Sequence, residues 1–189
     1  ATLSVDLRDR APHLRPWRDG WRHLRYLLML SPTWVFGVPA MAAMAAAAII
    51  FAVALLHWLG FIPTETPFGI SWAIIGGFLF TTGHLATIMA LATHLYGVRS
   101  GYRILRPSLK KHGRLLTLES MLILGSGAAV VALVAMVAIW HHWASIGYHA
   151  LPNGLPLVLA VTLATVGIQT IFGGFLLAII SGHEARIAA

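Results

Sequence analysis

Residues 34–58 read WVFGVPAMAAMAAAAIIFAVALLHW and contain no Asp, Glu, Lys or Arg. Three further stretches are almost as apolar, at residues 69–97, 116–140 and 155–181. Each is longer than the ~20 residues that a helix needs to cross the hydrocarbon core of a bilayer. None alternates polar and apolar residues as the strands of a membrane barrel do. The sequence therefore predicts an all-α integral membrane protein built as a four-transmembrane-helix bundle.

The composition agrees with a membrane protein. Of the 189 residues, 58% are hydrophobic and 10% are charged, and the mean hydropathy is +0.80. Soluble domains carry about a quarter charged residues, so a water-soluble globular enzyme is excluded. The chain has no Cys, which excludes a disulfide framework and Cys-ligated metal centres. No metal site is predicted.

The cations indicate the topology. Six of the 13 Lys and Arg residues precede the first span, six lie between the second and third spans, and Arg186 follows the fourth. Cationic loops stay on the cytoplasmic side of a membrane, so both termini are expected to be cytoplasmic. The net charge of +7 is therefore explained by basic segments that lie at the membrane surface. Nucleic acid is not an expected partner.

A juxtamembrane segment, residues 1–33, precedes the spanning domain 34–181, and a cytoplasmic tail follows at 182–189. In the juxtamembrane segment, apolar residues recur at steps of three and four, with arginines on an adjoining face. The apolar positions are Leu14, Trp17, Trp21, Leu24 and Leu28, and the arginines are Arg15, Arg18, Arg22 and Arg25. This pattern is typical of an amphipathic helix in the headgroup layer. Pro32 disfavours helix at Ser31 and so ends it.

The two basic segments allow two interpretations. One is ordinary positive-inside charge, with Arg side chains that extend to the headgroups of anionic lipids. The other is a binding site for a lipid phosphate, because Arg and His side chains donate hydrogen bonds to phosphate oxygens. The candidate phosphate contacts are Arg15, Arg18, Arg22, His23, Arg25, Arg99, Arg103 and Arg106.

Several motifs carry a family resemblance. Residues 12–25 read PHLRPWRDGWRHLR and are followed by SPTW at 31–34. The pair resembles the juncture in bacterial family 2 glycosyltransferases of the polyprenyl-phosphate type, similar to dolichyl-phosphate sugar synthases, where a catalytic domain meets C-terminal membrane helices. The likeness continues at YGVRSG (96–101), LTLE (116–119) and GIQTIF (167–172). It extends over essentially the whole chain.

The resemblance implies a membrane anchor that contacts a polyprenyl-phosphate lipid in the bacterial cytoplasmic (inner) membrane. The family's catalytic domain carries an Asp-x-Asp-type motif, which nothing here matches, since the Asp residues are Asp6, Asp9 and Asp19. No catalytic residue is therefore assigned, and the chain is not expected to be an enzyme alone. It is either a fragment of a longer enzyme or a free-standing relative. Ala1 is what removal of an initiator Met leaves, which favours the second.

Polar side chains at bilayer depth are costly and are functional candidates for that reason. The candidates are His84 in the second span, and Gln169 and Thr170 in the fourth. One interpretation is a hydrogen bond between helices. The other is that His84 binds a chlorophyll-type pigment, a haem or a quinone. His94 lies roughly 15 Å from His84 along the helix axis, too far to share one metal.

Two functions follow from the sequence. The first is a non-catalytic membrane domain that contacts a lipid phosphate and anchors a catalytic domain, as the resemblance implies. The second is a structural accessory subunit of a respiratory or photosynthetic complex, in which small-residue faces such as Gly76-Gly77 and Gly173-Gly174 receive other membrane subunits. An active site within the chain is expected in neither.

Overall fold

The computed structural model describes residues 16–182 except 32, 63–68, 112 and 152. These residues form α-helices and connecting turns, with no strand among them, so the predicted all-α class is confirmed. The α-helices are α1 (Pro16–Leu30), α2 (Val38–Trp58), α3 (Ile70–Arg99), α4 (Pro107–Lys111), α5 (Leu118–Ser145) and α6 (Leu155–Ser181). A π-helical turn, Thr33–Gly37, leads into α2, and a 3-10 turn, Gly113–Leu116, leads into α5.

Four helical stretches are long and apolar enough to cross a membrane, as predicted. They are Trp34–Trp58, Ile70–Arg99, Leu118–Ser145 and Leu155–Ser181. The third runs past the predicted end at residue 140. Its hydrogen bonding continues to Ile146, whose N–H donates to the His142 carbonyl, and the chain turns only at Gly147, where φ is +71°. Trp140 therefore lies inside the helix.

Local polar groups define where the later helices begin and end. The Thr117 hydroxyl accepts from the Ser120 N–H and caps α5. At the start of α6, the Asn153 side-chain oxygen accepts from the Leu155 N–H at 2.8 Å. The other end of α6 closes at Gly182, whose φ of +70° is the left-handed conformation that glycine adopts readily.

The chain divides into two compact units, residues 1–31 and 32–189. In the second unit, the four spanning helices pack in the order α2, α3, α6, α5, with α2 and α5 as the two outer helices. The most extensive helix–helix contacts are those of α2 with α3, of α3 with α6 and of α6 with α5.

A glycine permits close approach at each of these interfaces. A Cβ on Gly83 of α3 would lie 2.9 Å from the Ala40 carbonyl oxygen of α2, and one on Gly77 would lie 2.9 Å from the Thr162 hydroxyl of α6. Between α5 and α6, a Cβ on Gly125 would lie 2.7 Å from the Gly167 carbonyl oxygen. Membrane helices associate in this way, because lipid removes the hydrophobic drive and close van der Waals packing replaces it.

The buried core is thin and consists mainly of small side chains. One cluster contains Ala54, Ala73 and Leu155, and the other contains Ala92, Met121 and Leu177. Large apolar side chains such as Ile123, Phe172 and Ile179 are exposed instead, as expected where a helix faces hydrocarbon.

Candidate functional site

Two of the three predicted intramembrane polar residues meet across the α3–α6 interface. His84 Nδ1 lies 2.9 Å from Gln169 Oε1. An amide oxygen accepts hydrogen bonds, so Nδ1 carries the proton and donates it. The third residue, Thr170, lies with its hydroxyl 3.4 Å from His84 Nε2 and donates to the Val166 carbonyl at 2.7 Å. The three side chains form one interhelical polar cluster.

This arrangement is the interhelical hydrogen bond that was one of the two predicted roles of His84. Both ring nitrogens face protein groups, at 2.9 Å from Gln169 and 3.4 Å from Thr170. The interhelical hydrogen bond is therefore present in the structure, and a pigment, haem or quinone at His84 stays a prediction. Among the described residues, no three His, Asp or Glu side chains group to hold a metal ion.

Arg99, a predicted phosphate contact, binds the end of α6. Its Nη1 donates to the Ile180 carbonyl at 2.9 Å and to the Ile179 carbonyl at 3.3 Å. The last carbonyls of a helix lack intrahelical partners and carry partial negative charge, so a cation stabilises them. The guanidinium also lies over Gly182, where a Cβ would be 3.2 Å from Arg99 Cζ.

Arg103 and Arg106 lie at the same end of α3. The aliphatic part of Arg103 packs on Gly97, where a Cβ would be 2.5 Å from Arg103 Cδ. Arg106 lines the same small cavity as His94. Three of the predicted phosphate contacts therefore collect around the basic end of α3.

His94 is a buried polar residue that the sequence did not single out as a candidate. Its side chain is 7% exposed, and within the described part of the chain neither ring nitrogen has a hydrogen-bond partner. A cavity of about 210 Å³ lies beside it, with Val38 and Met41 of α2 and Arg106 and Leu109 after α3 among its lining residues. One signal was available: a histidine near the end of a span, followed closely by arginines.

The amphipathic helix α1 forms a unit of its own. Trp17, Trp21 and Leu24 are exposed, with 87% of the Trp17 surface accessible. The predicted phosphate contacts Arg18, Arg22, His23 and Arg25 are exposed as well, and Arg18 Nε lies 4.0 Å from the Asp19 carboxylate. The remaining candidate, Arg15, lies outside the described residues.

Four apolar helices, together with a basic loop between the second and third, define a multi-pass membrane domain. Residues 91–181 match the family described as the glycosyltransferase family 2 C-terminal transmembrane region, which confirms the predicted resemblance. The matched range includes His94, Arg99, Arg103 and Arg106. His84 lies before it.

A relative agrees with this match. The chain is 28% identical over 177 residues to the low-salt glycan biosynthesis hexosyltransferase Agl6 of Haloferax volcanii. The alignment covers 93% of this chain and 41% of the relative, so the chain spans less than half of the relative's length. No solved structure matches the chain. Family and relative together support a membrane domain of a glycosyltransferase.

Proposed function

We propose that this chain is the membrane domain through which a family 2 glycosyltransferase holds a polyprenyl-phosphate lipid at its basic surface. The observation that carries the proposal is the convergence of Arg99, Arg103 and Arg106 at one end of the spanning helices. The match of residues 91–181 to the family's transmembrane region supplies the enzymatic context.

The chemistry of this basic end suits a lipid phosphate. Guanidinium groups bind phosphate oxygens through charge-assisted hydrogen bonds, which are about twice as strong as neutral ones. Arg103 is held by packing on Gly97, so less side-chain freedom is lost when it binds. The exposed apolar flanks of the helices provide the surface along which the prenyl chain runs.

In this proposal, the basic end faces the cytoplasm. Anionic lipids of the inner leaflet attract polybasic segments, each Lys or Arg near the surface contributing about 1 kcal/mol. The sugar transfer itself is assigned to a catalytic domain that this domain anchors in the membrane.

The test compares two double variants in the full chain, reconstituted in lipid nanodiscs. Arg103→Gln/Arg106→Gln removes two charges at the basic end, and Lys110→Gln/Lys111→Gln removes two from exposed positions on the short helix α4. Binding of decaprenyl phosphate is measured by native mass spectrometry. Loss of a charge-assisted hydrogen bond weakens binding by about tenfold or more.

The arginine pair should show this loss, whereas the lysine pair should stay within about twofold of the wild type, as expected for surface charge alone. Equal losses in the two variants would mean that bulk positive charge holds the lipid. That result would contradict the proposal.

A further inference from the structure

The end of the bundle opposite the basic loop contains a cavity of about 390 Å³. It lies where α2 ends and where α3 and α6 begin. Most of its described lining is apolar, and the two polar side chains in that lining are His57 and Asn153. Pockets for small ligands have volumes of about 300–1,000 Å³ and combine apolar walls with a few polar groups in this way. The cavity is therefore large enough for a single small ring.

His57 uses one of its two ring nitrogens within the protein. Its Nδ1 lies 3.1 Å from the Ile62 carbonyl oxygen. Because a carbonyl oxygen only accepts hydrogen bonds, Nδ1 donates, and Nε2 of the neutral ring is then an acceptor. Among the described residues, this Nε2 has no hydrogen-bond partner. His57 is exposed, so a ligand in the cavity can reach it.

Asn153 is also only half used. Its Oδ1 accepts from the Leu155 N–H at 2.8 Å, which holds the side-chain amide in place at the start of α6. The two N–H donors of its Nδ2 have no partner in the described part of the chain. Asn153 is exposed as well. The cavity thus offers a ligand one acceptor, from His57, and two donors, from Asn153.

These groups determine the class of ligand. A molecule that meets both His57 and Asn153 has to donate and to accept hydrogen bonds. None of the described lining residues is Asp, Glu, Lys or Arg, so no fixed side-chain charge in that lining selects an ion. Hydroxyl groups donate and accept at once, and the apolar walls suit the C–H faces of a ring. A sugar ring has both features, and the match to a glycosyltransferase family agrees with a sugar.

A second cavity indicates that the sugar is carried on a lipid. Its volume is about 380 Å³, and it shares the lining residue Leu151 with the first cavity. Its other described lining residues are apolar or aromatic and include Trp140 and Trp143. The Trp143 ring is held in place, because its Nε1 donates to the His149 carbonyl at 2.9 Å. A polar cavity next to an apolar one suits an amphiphile with a hydroxyl-rich head and a hydrocarbon chain.

We infer that the end of the bundle opposite the basic loop binds a neutral sugar ring, the headgroup of a lipid, with His57 and Asn153 as its polar contacts. The inference goes beyond the proposed function, which concerns a phosphate at the other end of α3. The experiment uses the full chain in phosphatidylcholine nanodiscs prepared without sugar-based detergents. The four probes are monoglucosyldiacylglycerol, diacylglycerol, glucose and inorganic phosphate. Binding is measured by native mass spectrometry and by ¹⁵N nuclear magnetic resonance of the histidine rings.

The variants remove the free polar atoms and keep the bound ones. His57→Asn retains an N–H donor near the position of Nδ1 and has no atom at Nε2. Asn153→Ser retains a side-chain oxygen for the Leu155 N–H, since Ser forms the same turn more weakly, and lacks the amide N–H groups. His141→Asn is the matched control, because His141 is exposed near the end of α5 at the same end of the bundle and is not among the described lining residues.

We expect the glucolipid to shift one histidine signal of the wild type, and that signal to be missing in His57→Asn. Affinity should fall about fivefold in His57→Asn and in Asn153→Ser, which is typical of one lost hydrogen bond, and stay unchanged in His141→Asn. Diacylglycerol should not shift the signal. Glucose should shift it only at a much higher concentration, whereas equal affinity for glucose would identify a free sugar as the ligand of the same two contacts.

Unchanged affinity in His57→Asn or in Asn153→Ser overturns the inference, and so does an equal response to diacylglycerol. Displacement of the glucolipid by inorganic phosphate also overturns it, because the cavity would then hold an anion. Melting curves show that the variants are folded. The two proposals fail separately: Arg103→Gln/Arg106→Gln should leave glucolipid binding unchanged, and its effect on decaprenyl phosphate concerns the proposed function alone.

Discussion

Arg99, the last residue of α3, donates from Nη1 to the carbonyl oxygen of Ile180 in the last turn of α6, at 2.9 Å. The contact joins two helices that are 81 positions apart at these residues. It brings the end of α6, the fourth span, to the basic loop that follows α3, the second span. The positive end of the domain is therefore part of the helix packing as well as a charged surface.

Replacing Arg99 by Gln should destabilise the domain by about 1 kcal/mol, because the last carbonyls of α6 lose a cationic donor in a solvent-exposed position. Thermal unfolding in detergent measures the change. Lys111→Gln removes the same charge from an exposed position on α4 and should leave the melting temperature unchanged. An equal shift in both variants would show that net charge alone is responsible.

The hydrogen bond between His84 and Gln169 should be measurable by a double-mutant cycle. His84→Leu and Gln169→Leu each remove one partner, and the double variant removes both. Hydrogen bonds between membrane helices couple by about 0.6 kcal/mol on average and up to about 1.7 kcal/mol. Unfolding in increasing denaturing detergent gives the four free energies. A coupling energy indistinguishable from zero would contradict the interhelical bond.

Gly125 and Gly127 should respond differently to substitution by alanine. A Cβ at Gly125 would lie 2.7 Å from the Gly167 carbonyl oxygen, whereas a Cβ at Gly127 meets nothing within 4 Å. We expect Gly125→Ala to force α5 and α6 apart and to destabilise the domain by about 1–3 kcal/mol. Gly127→Ala should be neutral or stabilising by up to about 1 kcal/mol, through helix propensity. The same detergent titration tests both.

The orientation of the domain can be measured directly, because the chain has no Cys. Ser100→Cys places a thiol beside the basic loop, and Ala150→Cys places one between α5 and α6, both at exposed positions. In intact cells, a membrane-impermeant maleimide should label position 150 and not position 100. Permeabilised cells serve as the control, since both positions should then react. The reverse pattern would contradict the cytoplasmic placement of the basic end.

The sequence alone predicted the class of the protein, because hydropathy is a local property. A run such as residues 34–58 has to lie in hydrocarbon wherever its neighbours are. The same is true of amphipathic α1, whose period is visible in Trp17, Trp21 and Leu24. The resemblance read from residues 96–101 and 167–172 led to the family that residues 91–181 match. The contacts of a lipid phosphate and the accessory-subunit alternative stay predictions.

The tertiary structure decided which polar residues meet. Periodicity places His84, Gln169 and Thr170 within spans, but small residues occur on many faces, so it does not indicate that α3 packs against α6. That packing order joins His84 to Gln169 and brings Arg99 to the carbonyls of α6. It also leaves His94 buried beside a cavity. Hydropathy is summed along the chain, whereas a hydrogen bond or a cavity depends on atoms from helices distant in sequence.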